Sequence, residues 1–598
     1  MAERDPVTRE LIKNALISIS DNILMMVVRT SRSTVVKSNL DFSAAICDAR
    51  GELVAQGIAL PAHLGSIMPA LDGCLKLFRD DIARGDILVN NDPYSGGSHL
   101  NDFFMFKPIF CRGRKVAYLS LIVHHTDVGG RVPGGNASDS TEIYQEGLRI
   151  PPSKIYDAGR VNDTLFRIIE ANVRVSDRVL GDLRAQVAAL NSGEREIVKL
   201  LEDYDLDDFI GYMRDLPDYT ERLSRAAISD LPDGVAEFTD WIDDNGAGGG
   251  PVKIHCRVEI EGDRICVDFT GTSPQTSGAL NPNYWFTVSN TLAAIRTMLD
   301  PGMPNNAGFY RPIKIIAPEG SFVNPLFPAP VGARGLAGFR IRSAVLGALA
   351  ELMPHRLPAC TGGSEFGIVI AGRDNVQRPF LYLEFHNVTG QGGGPDHDGQ
   401  DGGPYCLSNL ANVPVEIAEA ENPILIEEYA FIPDTGGAGK FRGALGVARQ
   451  YRLLCGEAVL QVRSDRQHHA PWGLFGGSSG APGRTVLDPA TDDGRALPSK
   501  FVRTMLQGEV FRAEMPGSGG YGNPIERAAE AVLDDVRQEK MSLRHAREVY
   551  GVVVDPNTLA LDRAGTARLR SEKKPPRASP TPGPASGVLD PPTPKGIK

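Results

Sequence analysis

The sequence predicts a multi-lobed protein of α/β (mixed α+β) class, built from mixed β-sheets, packed helices and long glycine-rich loops. Three observations carry that reading. The chain has 598 residues, more than one hydrophobic core can serve, so several lobes are expected. Segments with apolar residues at helical spacing alternate with strand-like runs. The 65 glycines and 43 prolines cluster between them and break both patterns.

Residues 6–31 place Leu11, Ile12, Ala15, Leu16, Ile19, Ile23, Leu24, Val27 and Val28 at helical spacing after Asp5-Pro6, a helix-start signal. SNLDFSAAICDARGELVAQG then reads as two strands about a turn from Asp48 to Gly51, with Asp41 entering the first. PAHLGSIMPALDGCLKLF follows as a loop carrying His63 and then a helix, and Asp86 to Val89 begin another strand. NDPYSGGSHLND (91–102) cannot be regular, because Pro93 and Gly96-Gly97 break it. It is a shaped loop dense in polar side chains. His99 and Asp102 are three apart, so on one helical turn they share a face and can bind one ion. VAYLSLIVHHTDVGG is a buried strand whose side chains alternate between faces, so only one of His124 and His125 can face the His99 loop. His124 is the favoured ligand. Imidazole and carboxylate together are the donor set of a borderline divalent metal.

Gly129 to Pro152 form another glycine-rich loop, where Glu142 and Glu146 are spaced for one face of a short helix, lining a pocket or facing solvent. Residues 163–226 are helical by periodicity. Strand texture begins after Pro232-Asp233-Gly234, and helices are expected over NPNYWFTVSNTLAAIRTMLDP and AGFRIRSAVLGALAELMPHRLP. GQGGGPDHDGQDGG (390–403) lacks a phosphate-cradle context and reads as a flexible lid or a turn at the site edge. DTGGAGKFRGALG carries Lys440 and Arg442, a plain turn or an anion-binding loop. REVYGVVVD closes the fold as a strand behind two short helices. The expected lobes are 1–230 with the candidate metal site, 231–420, and 421–570, followed by a disordered Pro-rich tail, 571–598.

Composition limits the function. Hydrophobic content of 42% and charged content of 23% are those of an ordinary globular protein. A net charge of -11 without a basic run argues against nucleic acid or an anionic membrane as partner. No signal-peptide pattern and no apolar run of roughly 18 to 20 residues is evident, so a cytoplasmic chain without a membrane span is expected. The eight cysteines show no CxxC and read as reduced thiols.

LDFSAAICDARGELVAQG, PAHLGSIMP, NDPYSGGSHLND, HHTDVGG, QEGLRIPP, GDLRAQVAAL, PNNAGFYRPI, PAPVGARG, NVPVEIAE, DTGGAGKFRG and REVYGVVVD together resemble the hydantoinase B / 5-oxoprolinase family, which includes subunits of ketone carboxylases and of caprolactamase. The resemblance spans about residues 10 to 560. It implies a hetero-oligomer in which a hydantoinase A-type subunit binds ATP and phosphorylates a cyclic amide (hydantoin, 5-oxoproline or lactam). This chain would then complete hydrolysis with metal-bound hydroxide. The family's ligands carry over onto Asp41, His99, Asp102 and His124, for a divalent ion that the N/O set leaves open between zinc, manganese and iron. His125 or Asp127 would orient water or a ligand, and Glu142 or Glu146 would move protons to the departing nitrogen. The alternatives are a metal-containing subunit of an ATP-dependent ketone carboxylase and a non-catalytic scaffold. Of two departures, Asn101, where relatives often have proline, leaves the ligand set intact, and Ala444, where a glycine is common, weakens a strict role for the DTGGAGKFRGALG loop.

Overall fold

Asp5 caps the first helix, accepting from the amides of Val7 and Thr8, and Pro6 occupies its first turn, where a missing amide donor is harmless. The computed structural model describes residues 4–572 except 58–59, 364–365, 387–388, 405–407, 409 and 491–493. All but the first two residues of the expected disordered tail lie outside the described residues; Ser571 and Glu572 end a helix.

The first unit comprises α1 (Pro6–Thr30), α2 (Thr34–Lys37), β1 (Phe42–Asp48), β2 (Leu53–Gln56), α3 (Ile67–Phe78), β3 (Ile87–Asn90), β4 (Asp102–Cys111), β5 (Arg114–His124), β6 (Ser153–Asp157), β7 (Arg160–Val161), α4 (Asp163–Asn172), α5 (Ser176–Leu200) and α6 (Leu206–Ser229). Its strands form one antiparallel sheet in the order β2-β1-β5-β4-β3-β6-β7. Both faces are covered, which is why β1 and β4 read as nearly continuous apolar runs rather than as alternation. Phe42, Ala44, Phe103, Leu121 and Val123 pack into the core shared with α1 and α5. Ala45, Cys47, Phe104, Tyr118 and Ile122 face α3.

By length and composition α1 could cross a membrane, contrary to the expectation that no segment reaches that limit. In this fold Ile12, Leu16, Ile19, Ile23, Leu24 and Val27 are buried in the first core. Gly193 of α5 meets it closely, since a Cβ there would fall 2.5 Å from Ile23 Cδ1.

The second unit is a four-stranded sheet of β8 (Gly234–Ile242), β9 (Val252–Glu261), β10 (Arg264–Asp268) and β11 (Ile313–Ile316), with α7 (Tyr284–Arg296), α8 (Ala307–Tyr310) and α9 (Gly335–Leu352). Burial alternates strictly along β9, one face packing on α9. Then come β12 (Phe366–Arg373), β13 (Pro379–His386), α10 (Val415–Glu421), β14 (Ile424–Ile432), β15 (Gly446–Leu453), β16 (Glu457–Arg463), β17 (Arg484–Leu487), β18 (Arg495–Ala496), β19 (Lys500–Leu506), β20 (Val510–Glu514), α11 (Ala529–Arg537), α12 (Leu543–Glu548) and α13 (Arg563–Glu572). Two sheets, β13-β12-β16-β19 and β14-β15-β20-β17-β18, pack around a third core. The strand expected at REVYGVVVD is reduced to one bridge, Val554 to Leu561.

β12 and β13 belong to two cores at once. Phe366, Ile368, Ile370, Phe380 and Tyr382 face the third, whereas Val369, Ala371, Leu381, Leu383 and Phe385 face the first. Buried charge fastens the second unit to the third: Arg340 of α9 pairs with Asp465, and Arg466 binds both oxygens of Asp240 in β8 at 2.9 and 2.8 Å. The glycine-rich stretch 390–403, expected as a flexible lid or site-edge turn, is instead stapled down. Asp398 pairs with Arg527, and Asp401 with Arg442 and Lys540. The anion held by Arg442 is thus the chain's own carboxylates.

Because Ile23 is fully buried where α1 crosses α5, Ile23→Ala should cost about 2–5 kcal/mol. The measurement is chemical unfolding followed by circular dichroism; a midpoint unchanged from wild type would show that α1 is peripheral to the first core.

Candidate metal centre

Strand register assembles the site. Asp102, first in β4, lies directly opposite His124, last in β5. Phe42 pairs with Val123, and the His124 amide donates to the Asp41 carbonyl at 3.1 Å, so Asp41 is level with them on the other side of β5. The three residues form one row across three adjacent strands, with side chains on the α3 face. His99 joins from the preceding turn, whose hydrogen bond runs from the Asp102 amide to the His99 carbonyl at 3.0 Å.

The loop before it is rigid because its polar side chains are spent on backbone. Asn91 Nδ2 donates to the carbonyls of Leu100 and Leu148, its Oδ1 accepts from the Ile150 amide, and Asp92 caps the Tyr94 amide. Gly96 is required: its φ is 93°, and a Cβ there would fall 2.2 Å from the Pro69 carbonyl oxygen.

His99 Nε2 stands 3.3 Å from Asp102 Oδ1, and one donor atom each from His99, Asp102 and His124 lie within 4.8 Å of one another. Two donors bound about 2.0–2.1 Å from a tetrahedral ion are separated by about 3.3–3.4 Å, so the closest pair already has ligand spacing. All three residues are buried, and among the described residues neither nitrogen of His99 or His124, nor Asp102 Oδ1, has a hydrogen-bond partner. Orphaned buried polar atoms of this kind are costly unless something satisfies them. These residues fit a divalent cation. Asp41 lines the same cavity, of about 70 Å³, with His63, Arg334, Phe286, Asn290 and Arg463.

Burial, reinforced by Arg334, pushes the His99 imidazole below its ordinary pKa, and burial with the neighbouring His99 pushes His124 well below it. Both are therefore neutral donors near pH 7. Burial alone would raise the Asp102 carboxyl, but the His99 ring and the Arg334 guanidinium offset it and hold the group well below the usual carboxylate range. Arg334 Nη2 donates to Asp102 Oδ2 at 2.7 Å, leaving Oδ1 toward His99. His63, its ring bonded to Ser43 Oγ at 2.8 Å, brings Nε2 to 3.8 Å from the same Oδ2.

The remaining candidates lie apart from this cluster. His125, one residue past the strand, faces α5, where Nε2 bonds Gln186 Oε1 at 2.9 Å. Gln186 Nε2 donates to the Phe103 carbonyl, which fixes the amide's orientation and makes His125 Nε2 the donor. Asp127 is spent on the Gly134 amide and on the amide and guanidinium of Arg174. Glu142 and Glu146 do not share a helical face: between them is a three-residue 3-10 turn, Ile143–Gln145, which leaves Glu142 exposed and Glu146 buried. Glu146 Oε1 accepts from the amide of Gly332, itself part of the cavity wall. Burial raises its carboxyl to about 8, so it is protonated at neutral pH.

Arg334, Asn290 and Arg463 were not picked out in the sequence. They come from distant segments, and no local spacing links them to His99; only the PAPVGARG segment, which contains Arg334, stood out.

The sequence profile described as hydantoinase B/oxoprolinase matches residues 5–524. The caprolactamase subunit beta of Pseudomonas jessenii is 33% identical over 577 residues, covering 94% of this chain and 98% of that one. The 5-oxoprolinase of Dictyostelium discoideum is 29% identical across 87% of this chain but only 40% of its own length. The crystal structure of ATP-dependent caprolactamase from Pseudomonas jessenii superposes with a TM-score of 0.89 at 31% identity, covering 95% of this chain and 100% of that chain.

The Glu146 pKa has a testable sign. Raised from 4.5 to about 8 on folding, the group binds more protons in the native than in the unfolded state between those pH values. Its contribution is full below about 4.5 and lost as pH rises toward 8, at up to about 1.4 kcal/mol per pH unit. Glu146→Gln should flatten the stability profile over that window in unfolding titrations at several pH values. An unaltered slope would show that Glu146 is ionised in the native protein.

Proposed function

We propose, on the premise that the chain belongs to the hydantoinase B/oxoprolinase family, that it is the B-type subunit of an ATP-dependent cyclic-amide hydrolase acting on a hydantoin, 5-oxoproline or a lactam. The observation that carries this reading is the buried His99, Asp102 and His124 cluster, with its orphaned donor atoms, at one wall of a cavity. ATP is assigned to a hydantoinase A-type partner, which activates the substrate by phosphorylating the amide oxygen. The relatives' names, a caprolactamase subunit and a 5-oxoprolinase of more than twice the matched length, support that division of labour.

Asp41, His99, Asp102 and His124 would hold the ion: zinc, manganese or iron. A divalent cation in such a site supplies Lewis acidity and lowers the pKa of water from 15.7 toward roughly 7. The chain's own groups define the rest. Neutral His99 and His124 donate without first losing a proton, because burial keeps them uncharged. Arg334 and His63 flank one oxygen of Asp102 and aim the other. Glu146, protonated and adjacent to the cavity wall at Gly332, is the group suited to pass a proton to the departing nitrogen. His125, bonded to Gln186, anchors the end of β5 that carries His124, whereas Asp127 is taken up by Gly134 and Arg174 and Glu142 is exposed to solvent.

Co-purified with its large subunit, the wild-type chain should carry stoichiometric metal by elemental analysis. His99→Ala and Asp102→Ala should lose it and lower ATP-dependent turnover of hydantoins, 5-oxoproline or lactams by at least about 100-fold. Full turnover by either variant would refute the metal role. Bicarbonate-dependent consumption of a ketone would assign the site to carboxylation instead. The chain by itself should show no ATPase activity.

A further inference from the structure

Asn290, on α7, is fully buried in the wall of the same cavity. Its Nδ2 donates to the Phe286 carbonyl one turn back at 2.6 Å. That bond settles which end of the amide is which, because an Oδ1 in that place would oppose another acceptor. Oδ1, at the other end, has no hydrogen-bond partner among the described residues. The side chain is also wedged in place. Helix α9 passes so close that a Cβ at Gly338 would fall 3.0 Å from both Nδ2 and Oδ1. The same stretch of α7 supports the metal cluster: the Arg334 guanidinium, which grips Asp102, lies 4.4 Å from the centroid of the Phe286 ring.

A leucine would fill this volume without burying an unsatisfied acceptor. The acceptor is therefore kept for a donor that arrives with the ligand. Much of the remaining wall is apolar, including Leu60, Phe339, Phe385 and Leu410, and suits ring methylenes. We infer that Asn290 Oδ1 accepts the N–H of the reacting amide, so the cavity selects secondary cyclic amides over N-alkylated ones. This rests on the reading that the amide reacts in this cavity. The ring itself adds selectivity. A small lactam is locked cis, turning its N–H and C=O to the same edge, so one can meet α7 while the other meets the metal side. An open-chain secondary amide is trans and presents them on opposite edges.

The test uses the complex with the large subunit, without ATP, and two probes, 2-pyrrolidinone and N-methyl-2-pyrrolidinone, titrated by calorimetry. Wild type should bind the N–H lactam at least about tenfold more tightly, and Asn290→Leu should bind both alike, with metal content and melting temperature unchanged. Asn290→Asp, which keeps an acceptor, should retain the preference. Equal affinity of wild type for the two probes overturns the inference without any variant, and so does a preference that survives in Asn290→Leu. Failure of the hydrolase reading is visible separately, as undiminished turnover in His99→Ala, while the binding ratio still reports on Asn290.

Discussion

The site depends on parity. In an antiparallel sheet each side chain is committed to one face by the register of its strand, and a slip of one residue would exchange the faces. The pairing of Asp102 with His124, and of Phe42 with Val123, therefore decides that Asp41, Asp102 and His124 meet while His125 turns to α5. That register is over-determined: a one-residue shift of β5 would also drive Leu121 and Val123 out of one core and Tyr118 and Ile122 out of the other. The apolar packing of a sheet covered on both faces is what keeps the candidate donors together.

The cluster is also electrostatically incomplete by itself. Two uncharged imidazoles and a carboxylate gripped by Arg334 leave donor atoms without partners among the described residues in a buried place, a state that a bound cation would resolve. No single unit owns the cavity. Asp41, His99, Asp102 and His124 come from the first unit, Asn290 and Arg334 from the helical layer of the second unit, and Phe385 and Arg463 from strands of the third. The buried pairs of Arg340 with Asp465 and Arg466 with Asp240 hold the second and third units in one relation, and so bear indirectly on the cavity's shape.

What could be read from the sequence was local. Asp41 at a strand entrance and the opposition of His124 to His125 follow from spacing and alternation, and the structure shows both; His99 and Asp102 are brought together as well, but by a non-helical turn running into β4 rather than by the helical turn their spacing suggested. The helices over 163–226 and the β-texture after 232 are likewise present. What spacing could not supply was tertiary. Glu142 and Glu146 looked like one helical face, but three residues of 3-10 turn rotate them apart. The stretch 390–403 looked flexible because it is glycine-rich, yet Arg442 and Arg527 arrive from far along the chain to fix its aspartates. Arg334 and Asn290 carry no local signature, because only the packing of α7 and α9 brings them to the cavity.

The double allegiance of β12 and β13 bears on how the chain is made. The first core is not closed by the segment that precedes residue 230; Val331, Val369, Leu383, Phe385 and Leu410 are part of it. During vectorial synthesis the seven-stranded sheet must wait, with part of its apolar cover absent, for nearly two hundred further residues, or roughly 10–40 s at 5–20 residues per second. A nascent chain in that interval exposes the surface against which β12 and β13 will later pack, so chaperone protection would matter most there.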